Sequence, residues 1–183
     1  FLSVILMNYE SDKWRLTIME KTIICIGREY GSGGHEVGMR LSTRLNMSYY
    51  DNQIIKMACE HIGRDFSSVD ASQADSKKGW LNKTPFSLRK FAGNDELFFA
   101  QSQMIEEMAK KGDCIFLGRC ADVVLEHADI PHISVFIGAP FEERVKHDMA
   151  CTGASYDDTV EKVRNMDRAR KAYYNYYTGR HWK

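Results

Sequence analysis

An apolar run that leads into a cluster of glycines is the feature that most limits how this chain can fold. Residues 22–26, Thr-Ile-Ile-Cys-Ile, have the composition of a buried β-strand. The glycines that follow are Gly31, Gly33 and Gly34. Apolar side chains then recur at helical spacing, at Val37, Leu41 and Leu45. The segment therefore predicts a strand, a glycine-rich turn and an amphipathic helix over residues 35–46, in immediate succession.

The glycine-rich turn has the properties of an anion-binding site. Glycine allows positive φ angles and close approach of the backbone, and a helix starting near His35 adds N-terminal amides and its dipole. A P-loop places a lysine after its second glycine, but here Gly34 follows Gly33. The lysine's mobile charge is therefore missing. We expect the amides of residues 31–34 to form an anion nest, the alternative being a glycine turn without a ligand.

Predicted strands and helices alternate along the rest of the chain. The further strands are predicted over residues 47–50, 114–117 and 133–137. The further helices are predicted over 52–62, from Asn94 or Asp95 to Gly112, after Pro140, and from the capping pair Ser155 and Asp158 toward Tyr177. This alternation predicts a parallel α/β sheet, whose ligands bind at the carboxyl ends of the strands. Residues 64–93 are weakly patterned, and we expect a mobile insertion or a short helix there.

Composition excludes several classes of function. The chain has 183 residues, with Lys+Arg and Asp+Glu both 25, so no global charge favours nucleic acid or an anionic membrane. The five cysteines are scattered and form no CxxC pair, which argues against a disulfide framework or a zinc site. No apolar run reaches membrane-spanning length. We therefore expect a cytoplasmic protein with a small-molecule partner and without nucleic acid or membrane partners, of undetermined oligomeric state.

Several longer segments resemble bacterial cytidylate kinases and the related cytidylate kinase-like family. Residues 115–145 resemble the segment in which a strand ends in Gly-Arg and a later helix opens with Glu-Glu-Arg. Residues 47–55 resemble their second strand and its terminal aspartate. Residues 166–182, with the sequence GREYGSGGHE at 27–36, are similar to the cytidylate kinase-like branch, in which a lysine-free GSGG loop is usual. The resemblance covers about residues 21–182.

The resemblance implies the fold of a P-loop nucleoside monophosphate kinase. This is an α/β fold with a five-stranded parallel sheet flanked by helices, and with helical acceptor-binding and lid parts. It also implies ATP and Mg²⁺ as cofactors and a nucleotide as the small-molecule partner. No protein side chain is predicted as a direct metal ligand.

The resemblance also implies roles for individual residues. The phosphate-binding loop comprises Arg28, Gly31, Ser32, Gly33, Gly34, His35 and Glu36. Acceptor binding falls to Asp51 and Arg119, because a guanidinium fork suits a dianion. Asp51 is also open to base recognition or to a water-mediated contact with Mg²⁺. The catalytic set is Arg119 with the lid arginines Arg168 and Arg170.

The missing lysine needs a substitute. Arg28 and His35 are the local candidates, and His35 carries charge only when it is protonated. Arg28 stands at the start of the loop, so we expect its side chain to point away from the γ-phosphate. We therefore expect the guanidinium of Arg119, Arg168 or Arg170 to reach the space above Gly33 when the lid closes.

Three positions depart from the cytidylate kinase pattern. Gly34 replaces the lysine, Met57 stands where an arginine is expected, with Lys56 beside it, and Cys120 follows Arg119 in place of an aspartate. The leading hypothesis is ATP-dependent phosphoryl transfer to a nucleoside monophosphate, with cytidylate as the first choice. The alternatives are a nucleotide- or phosphate-binding module with little or no catalysis, and a kinase for another small acceptor.

The organisation into parts follows from the same patterns. We expect residues 1–18 to be a non-native or disordered extension, because Met19 directly precedes the first well-patterned strand. A genuine strand from Leu2 to Met7 is the alternative. Residues 19–183 are expected to form one kinase-like α/β domain, with an acceptor-binding part at 52–93 and a lid-type helical part at 144–175. Because the family continues past Trp182 into one more strand and helix, we expect a C-terminal truncation.

Overall fold

The computed structural model describes residues 3–6, 21–65 and 95–183. Most of the predicted extension at 1–18 and nearly all of the predicted insertion at 64–93 lie outside the described residues. The strands are β1 Ser3–Leu6, β2 Ile23–Arg28, β3 Ser48–Tyr50, β4 Cys114–Leu117 and β5 Ile133–Gly138. The described helices are α1 Gly34–Leu45, α2 Asn52–His61, α3 Asp95–Lys111, α4 Ala121–His127, α5 Phe141–Thr152 and α6 Tyr156–Thr178.

The strands form one sheet in the order β1-β5-β2-β4-β3. β2 pairs in parallel with both β4 and β5, and β4 pairs in parallel with β3. The predicted α/β fold with a parallel sheet is therefore confirmed. One strand differs from the expectation of five parallel strands, because β1 runs antiparallel to β5. The free edge of β5 offers unpaired backbone groups that a strand of either direction can satisfy.

The central strand β2 is buried on both of its faces. Ile23 and Cys25 face one apolar cluster, which includes residues of α2, α3 and α4. Ile24 and Ile26 face a second cluster, against which Val37 of α1 packs. Because side chains alternate along a strand, an uninterrupted apolar run is typical of a parallel strand covered on both faces.

The same arrangement places the candidate site. From β2 the chain first builds β3 and β4 on one side, and only then places β5 on the other side of β2. The carboxyl end of β2 is therefore a topological switch point, where ligands of such sheets bind. The glycine-rich loop begins there.

The helix that packs across this end of the sheet has a well-defined start. The Oγ of Ser155 accepts a hydrogen bond from the amide of Asp158 at 3.2 Å, and the Asp158 carboxylate accepts one from Oγ at 2.6 Å. This confirms the predicted capping of α6. α5 ends just before it at Gly153, which has a φ of 68°. Across the described ranges, no helix combines the length and apolar character needed to cross a membrane.

Gly38 allows α1 to lie close to β3, and this contact gives the first prediction. A Cβ at Gly38 would lie 2.8 Å from Cε2 of Tyr49 and 3.5 Å from Cδ1 of Ile26. Alanine gains about 1 kcal/mol in helix propensity over glycine, but overpacking costs about 1–3 kcal/mol. We expect Gly38→Ala to lower the free energy of unfolding by roughly 1 kcal/mol in urea denaturation.

The control is Arg40→Ala, at an exposed position of the same helix. It should change the free energy of unfolding by less than about 0.5 kcal/mol. A Gly38→Ala variant that is more stable than the parent would show that α1 has room at β3.

Candidate active site

The glycine-rich loop, residues 29–33, joins β2 to α1 and exposes the start of that helix. Gly31 and Gly33 have φ angles of 74° and 77°, in the left-handed region that favours glycine. The first hydrogen bond of α1 runs from the amide of Val37 to the carbonyl of Gly33, at 3.0 Å. The three amides before it, at residues 34–36, therefore have no acceptor within the helix. A helix N-terminus of this kind favours an anion through its amides and its dipole.

Arg144 of α5 holds the base of the loop in place. It is 6% exposed, and its Nη1 donates to the carbonyl of Tyr30 at 2.9 Å and to Oδ2 of Asp167 at 2.6 Å. Its Nε donates to the carbonyl of Ala139 at 3.1 Å. Oδ1 of Asp167 accepts the Tyr30 amide at 2.8 Å, so both backbone polar groups of Tyr30 are bonded.

The loop packs tightly against α5, and Glu29 completes its anchorage. A Cβ at Gly31 would lie 2.7 Å from the carbonyl oxygen of Arg144, so a larger residue has no room there. Oε2 of Glu29 accepts the amide of Ala139 at 3.1 Å and lies 3.4 Å from Nε of Arg144. Glu29 is also paired with Lys183. The conformation of the loop is therefore fixed from both β5 and α5.

Ser32 turns its hydroxyl away from the loop opening. Its Oγ lies 2.9 Å from the carbonyl oxygen of Glu29 and 3.2 Å from that of Ile137, and the residue is 6% exposed. The hydroxyl therefore serves the junction between the ends of β2 and β5. Ser32 was predicted to bind phosphate, but with its hydroxyl bonded in this way only its backbone amide can contact an anion.

Three arginines meet beside the loop, from three different segments. Arg28 ends β2, Arg119 follows β4, and Arg170 lies on α6. Nη1 of Arg170 donates to the carbonyl of Arg28 at 3.1 Å. Nη2 of Arg28 lies 3.8 Å from Oδ1 of Asp51, and Nη2 of Arg119 donates to Oδ1 of Asn52 at 3.0 Å. We call Arg28, Arg119, Arg170 and Asp51 the arginine cluster.

The arginine cluster carries more positive than negative charge in a partly desolvated place. Burial, followed by the nearby Arg170 guanidinium, lowers the pKa of Arg28 to about 9, against the opposing effect of Asp51. Burial also lowers the pKa of Arg170. Both side chains remain protonated at neutral pH, but their charged forms are less stable than in water. A bound anion would relieve that cost, because it would favour the charged form of each guanidinium.

The turn that presents Arg119 has an unusual backbone. Gly118, Arg119 and Cys120 follow one another with φ angles of 72°, 63° and 57°. Left-handed conformations at non-glycine residues cost about 1–3 kcal/mol each and occur preferentially at functional sites. The Cys120 thiol itself is not a reactive group, because it is 3% exposed and burial raises its pKa far above the ordinary value.

Asp51, His35 and Tyr49 line the other side of the loop. Nδ1 of His35 lies 3.5 Å from Oδ2 of Asp51 and 3.1 Å from the Tyr49 hydroxyl. Burial raises the pKa of Tyr49 to about 12, so its hydroxyl stays protonated. Oδ1 of Asp51 is buried and has no hydrogen-bond partner among the residues that the structure describes. Glu36 lies between the loop and α5, with Oε2 3.9 Å from where a Cβ at Gly33 would lie and Oε1 4.0 Å from Nε2 of His147.

Arg168 lies apart from the other predicted arginines. It is exposed on α6 and donates to Oδ1 of Asn165 at 3.0 Å, within its own helix. Positions two apart on an α-helix point about 200° away from each other. Arg168 and Arg170 therefore cannot face the loop together, whereas Asp167 and Arg170, three apart, both contact it.

Sequence reasoning did not identify four residues that shape the site. These are Glu29, Asn52, Arg144 and Asp167. Arg144 belongs to the Glu-Glu-Arg that opens α5, and Asp167 to the segment quoted for the lid. Helical spacing alone would have placed Asp167, rather than Arg168, on the side of Arg170.

A glycine loop at the end of a central parallel strand, with arginines at neighbouring strand ends, defines the chain as a P-loop kinase-like α/β protein. More specifically, the chain belongs to the cytidylate kinase-like family, whose sequence pattern matches residues 23–183. The resemblance drawn from the motifs is therefore confirmed.

Several solved structures are similar to this chain. A crystal structure of an uncharacterized protein from Eubacterium ventriosum has a TM-score of 0.63 and 25% identity, covering 88% of this chain and 81% of that chain. TT1252 from Thermus thermophilus has a TM-score of 0.50 and 18% identity, covering 81% and 80%. Shikimate kinase from Bacteroides thetaiotaomicron has a TM-score of 0.49 and 13% identity, covering 85% and 82%. No curated protein matches the chain.

The anchorage of the loop by Arg144 gives the second prediction. Arg144→Ala would leave the carboxylates of Glu29 and Asp167 without this cation, and the carbonyls of Tyr30 in the loop and Ala139 after β5 without this donor. Breaking a buried ion pair by removing one partner costs about 3–5 kcal/mol. We expect a loss of that size in the free energy of unfolding, measured by denaturant titration.

Arg180→Ala is the matched control, since Nη1 of Arg180 pairs with Glu126 at 2.6 Å in a much more exposed place. An exposed pair contributes about 0–1 kcal/mol. If the two variants lose equal free energy of unfolding, the buried contacts of Arg144 do not stabilise the protein more than an exposed ion pair does, and the prediction is wrong.

Proposed function

We propose that this chain transfers the γ-phosphoryl group of ATP to a nucleoside monophosphate, with cytidylate as the first acceptor to test. Membership of the cytidylate kinase-like family supports a nucleotide- or small-molecule-kinase-like role. The observation that carries the proposal is the arginine cluster beside the glycine-rich loop. Phosphoryl transfer needs positioning and positive charge more than it needs proton transfer by the protein.

The donor side of the proposed site is the loop. The amides of residues 34–36 would bind the β- and γ-phosphates at the N-terminus of α1. The guanidinium of Arg170 would add charge there, since it is already bonded to the Arg28 carbonyl at the start of the loop. His35, at the loop opening, would add charge only in its protonated form.

The acceptor side lies at the ends of β3 and β4. Arg119 would bind the acceptor's phosphate with its guanidinium fork. Its bond to Asn52, at the start of α2, and the constrained turn around it would limit the orientations of that fork. Asp51 would face the acceptor from the end of β3.

The residues present also fit a magnesium ion that arrives with the nucleotide. Mg²⁺ in kinases is typically held by one or two carboxylates, substrate phosphates and waters. Asp51 offers a buried Oδ1 without a hydrogen-bond partner in the described part of the chain. The nucleotide phosphates and waters would supply the remaining ligands. When bound, the ion would offset the charge of the phosphates.

Two positions favour an acceptor other than cytidylate as the second candidate. Where cytidylate kinases have an arginine, Met57 packs against the apolar core, and the neighbouring Lys56 is exposed. Where those enzymes have an aspartate, Cys120 is buried. These positions therefore offer neither of the charged groups expected for cytidylate. The absence of lysine at Gly34 keeps the non-catalytic binding module as a further alternative.

The third prediction tests the proposed function directly. We expect ATP turnover, in a coupled assay with Mg²⁺, in the presence of at least one common nucleoside monophosphate. ATP and that acceptor should each raise the melting temperature, because a ligand that binds only the native state stabilises it. Thermal shifts without turnover would favour the binding module. Turnover with a non-nucleotide acceptor, and with no nucleoside monophosphate, would favour a kinase for another small acceptor.

The fourth prediction separates the roles of the arginines. Arg119→Ala should raise the KM for the acceptor about 10- to 100-fold, since a hydrogen bond to a charged group contributes about 1.5–3 kcal/mol. Arg170→Ala should lower kcat at least about 100-fold while ATP binding is largely kept, because arginines that act in the transition state contribute mainly to rate. Arg168→Ala should have the smaller effect of the two lid variants, because its side chain faces away from the cluster.

The control is Arg164→Ala, which removes an exposed arginine from the same helix, near Phe141. It should turn over like the parent. If Arg119→Ala and Arg170→Ala also do so, the proposed mechanism is wrong.

A further inference from the structure

The two residues that flank the glycine-rich loop, Arg28 and Gly34, are exchanged in character relative to the P-loop pattern. In that pattern, Gly-x4-Gly-Lys-[Ser/Thr], four residues separate the first glycine from the second, and the lysine comes next. With Gly33 as the second glycine, the first glycine position falls on Arg28 and the lysine position on Gly34. The chain thus has the cationic side chain of Arg28 at the first glycine position of the pattern. At the lysine position it has Gly34, which has no side chain.

The structure shows that the two positions share the same space. A Cβ at Gly34 would lie 2.7 Å from Cβ and 3.0 Å from Cγ of Arg28. The aliphatic stem of Arg28 therefore lies where a side chain at position 34 would begin. A lysine at position 34 and the arginine at position 28 exclude each other in this packing.

The far end of Arg28 is also fitted to its surroundings. A Cβ at Gly118, after β4, would overlap Nη1 of Arg28. Nη2 lies 3.8 Å from Oδ1 of Asp51, and only 17% of the Arg28 side chain is exposed. Gly34 and Gly118 thus form the walls of a groove, the Arg28 groove, that leads from the loop to the strand ends of the acceptor side. The side chain thus runs from Gly34 toward Gly118 and Asp51, at the carboxyl ends of β4 and β3.

We propose that Arg28 is the functional substitute for the P-loop lysine and binds the terminal phosphate of a nucleoside triphosphate from the Arg28 groove. This inference rests on the proposed function only in requiring that the loop bind the donor's phosphates. The guanidinium is preorganised, since its stem lies against Gly34 and its end against Gly118. A lysine on a helix start carries a similar charge on a more flexible stem.

The test uses four variants of the full chain and measures ATP affinity by calorimetry, with turnover as a second readout. Arg28→Gly should weaken ATP binding at least about 10-fold, because it removes a charge-assisted contact. Gly34→Lys alone should lower the melting temperature, because the new stem meets Arg28. The double variant Arg28→Gly/Gly34→Lys places the first glycine and the lysine of the P-loop pattern at positions 28 and 34, with His35 still in place of its serine or threonine. It should recover ATP affinity to within about threefold of the parent.

Arg28→Met keeps the aliphatic stem and removes only the charge, so it controls for loss of packing. Its ligand-free melting temperature should equal or exceed that of the parent, while the shift produced by ATP should be largely lost. Such a combination is not expected from a merely structural arginine.

The outcomes separate this inference from the proposed function. If the parent binds ATP and Arg28→Met binds it equally well, Arg28 is not the substitute for the lysine. If the double variant binds as weakly as Arg28→Gly, the exchange of positions is not functionally equivalent, and the inference is overturned. If the parent itself gives neither binding nor turnover with ATP, the proposed function fails, and this inference fails with it.

Discussion

The Arg144 guanidinium holds together three segments that meet at the carboxyl edge of the sheet. It donates to the end of β5 at Ala139, to the loop at Tyr30 and to α6 at Asp167. These contacts join parts of the chain that are far apart in sequence, and each is partly buried. Without them, the glycine-rich loop would lose its direct contact with α5 through this guanidinium and keep only the bonds of Glu29, Tyr30 and Ser32 to other segments, and glycine-rich segments lose much entropy on ordering. The precision of any phosphate site here therefore depends on an arginine that does not itself face the ligand.

Two groups of charges lie close together in this region and differ in their balance. Around Arg144, the carboxylates of Glu29 and Asp167 compensate the guanidinium, and Lys183 adds a second cation. The arginine cluster instead combines three guanidiniums with one carboxylate, that of Asp51, and burial makes the charged forms of Arg28 and Arg170 less stable. Buried charges that serve only to hold segments together need to be neutralised by partners of opposite sign, as those around Arg144 are. A group with excess positive charge is stabilised by an anion that enters from solution.

The sequence was sufficient to predict those features that depend on local patterns. The uninterrupted apolar run of β2 and the helical spacing in α1 indicate the strand, the turn and the helix, and the Ser155 cap depends on residues three apart. The antiparallel pairing of β1 was not predictable in this way, because an edge strand can pair in either direction. The contacts of Arg144 were equally inaccessible, since Tyr30 and Arg144 are 114 positions apart. The orientation of Arg168 was accessible from helical geometry, because positions two apart cannot share a face.

The geometry of Arg28 links stability to the proposed chemistry. A guanidinium held in a groove between Gly34 and Gly118 would need little reorganisation when charge develops on a transferred phosphoryl group. The same groove keeps the cation away from water and near Arg170, which disfavours its charge while no anion is bound. A mobile lysine avoids much of this cost, because it can extend into solvent between turnovers. An arginine at position 28 with a glycine at position 34 would therefore lower the stability of the ligand-free protein. In return, the positive charge would already be in place when the phosphate arrives.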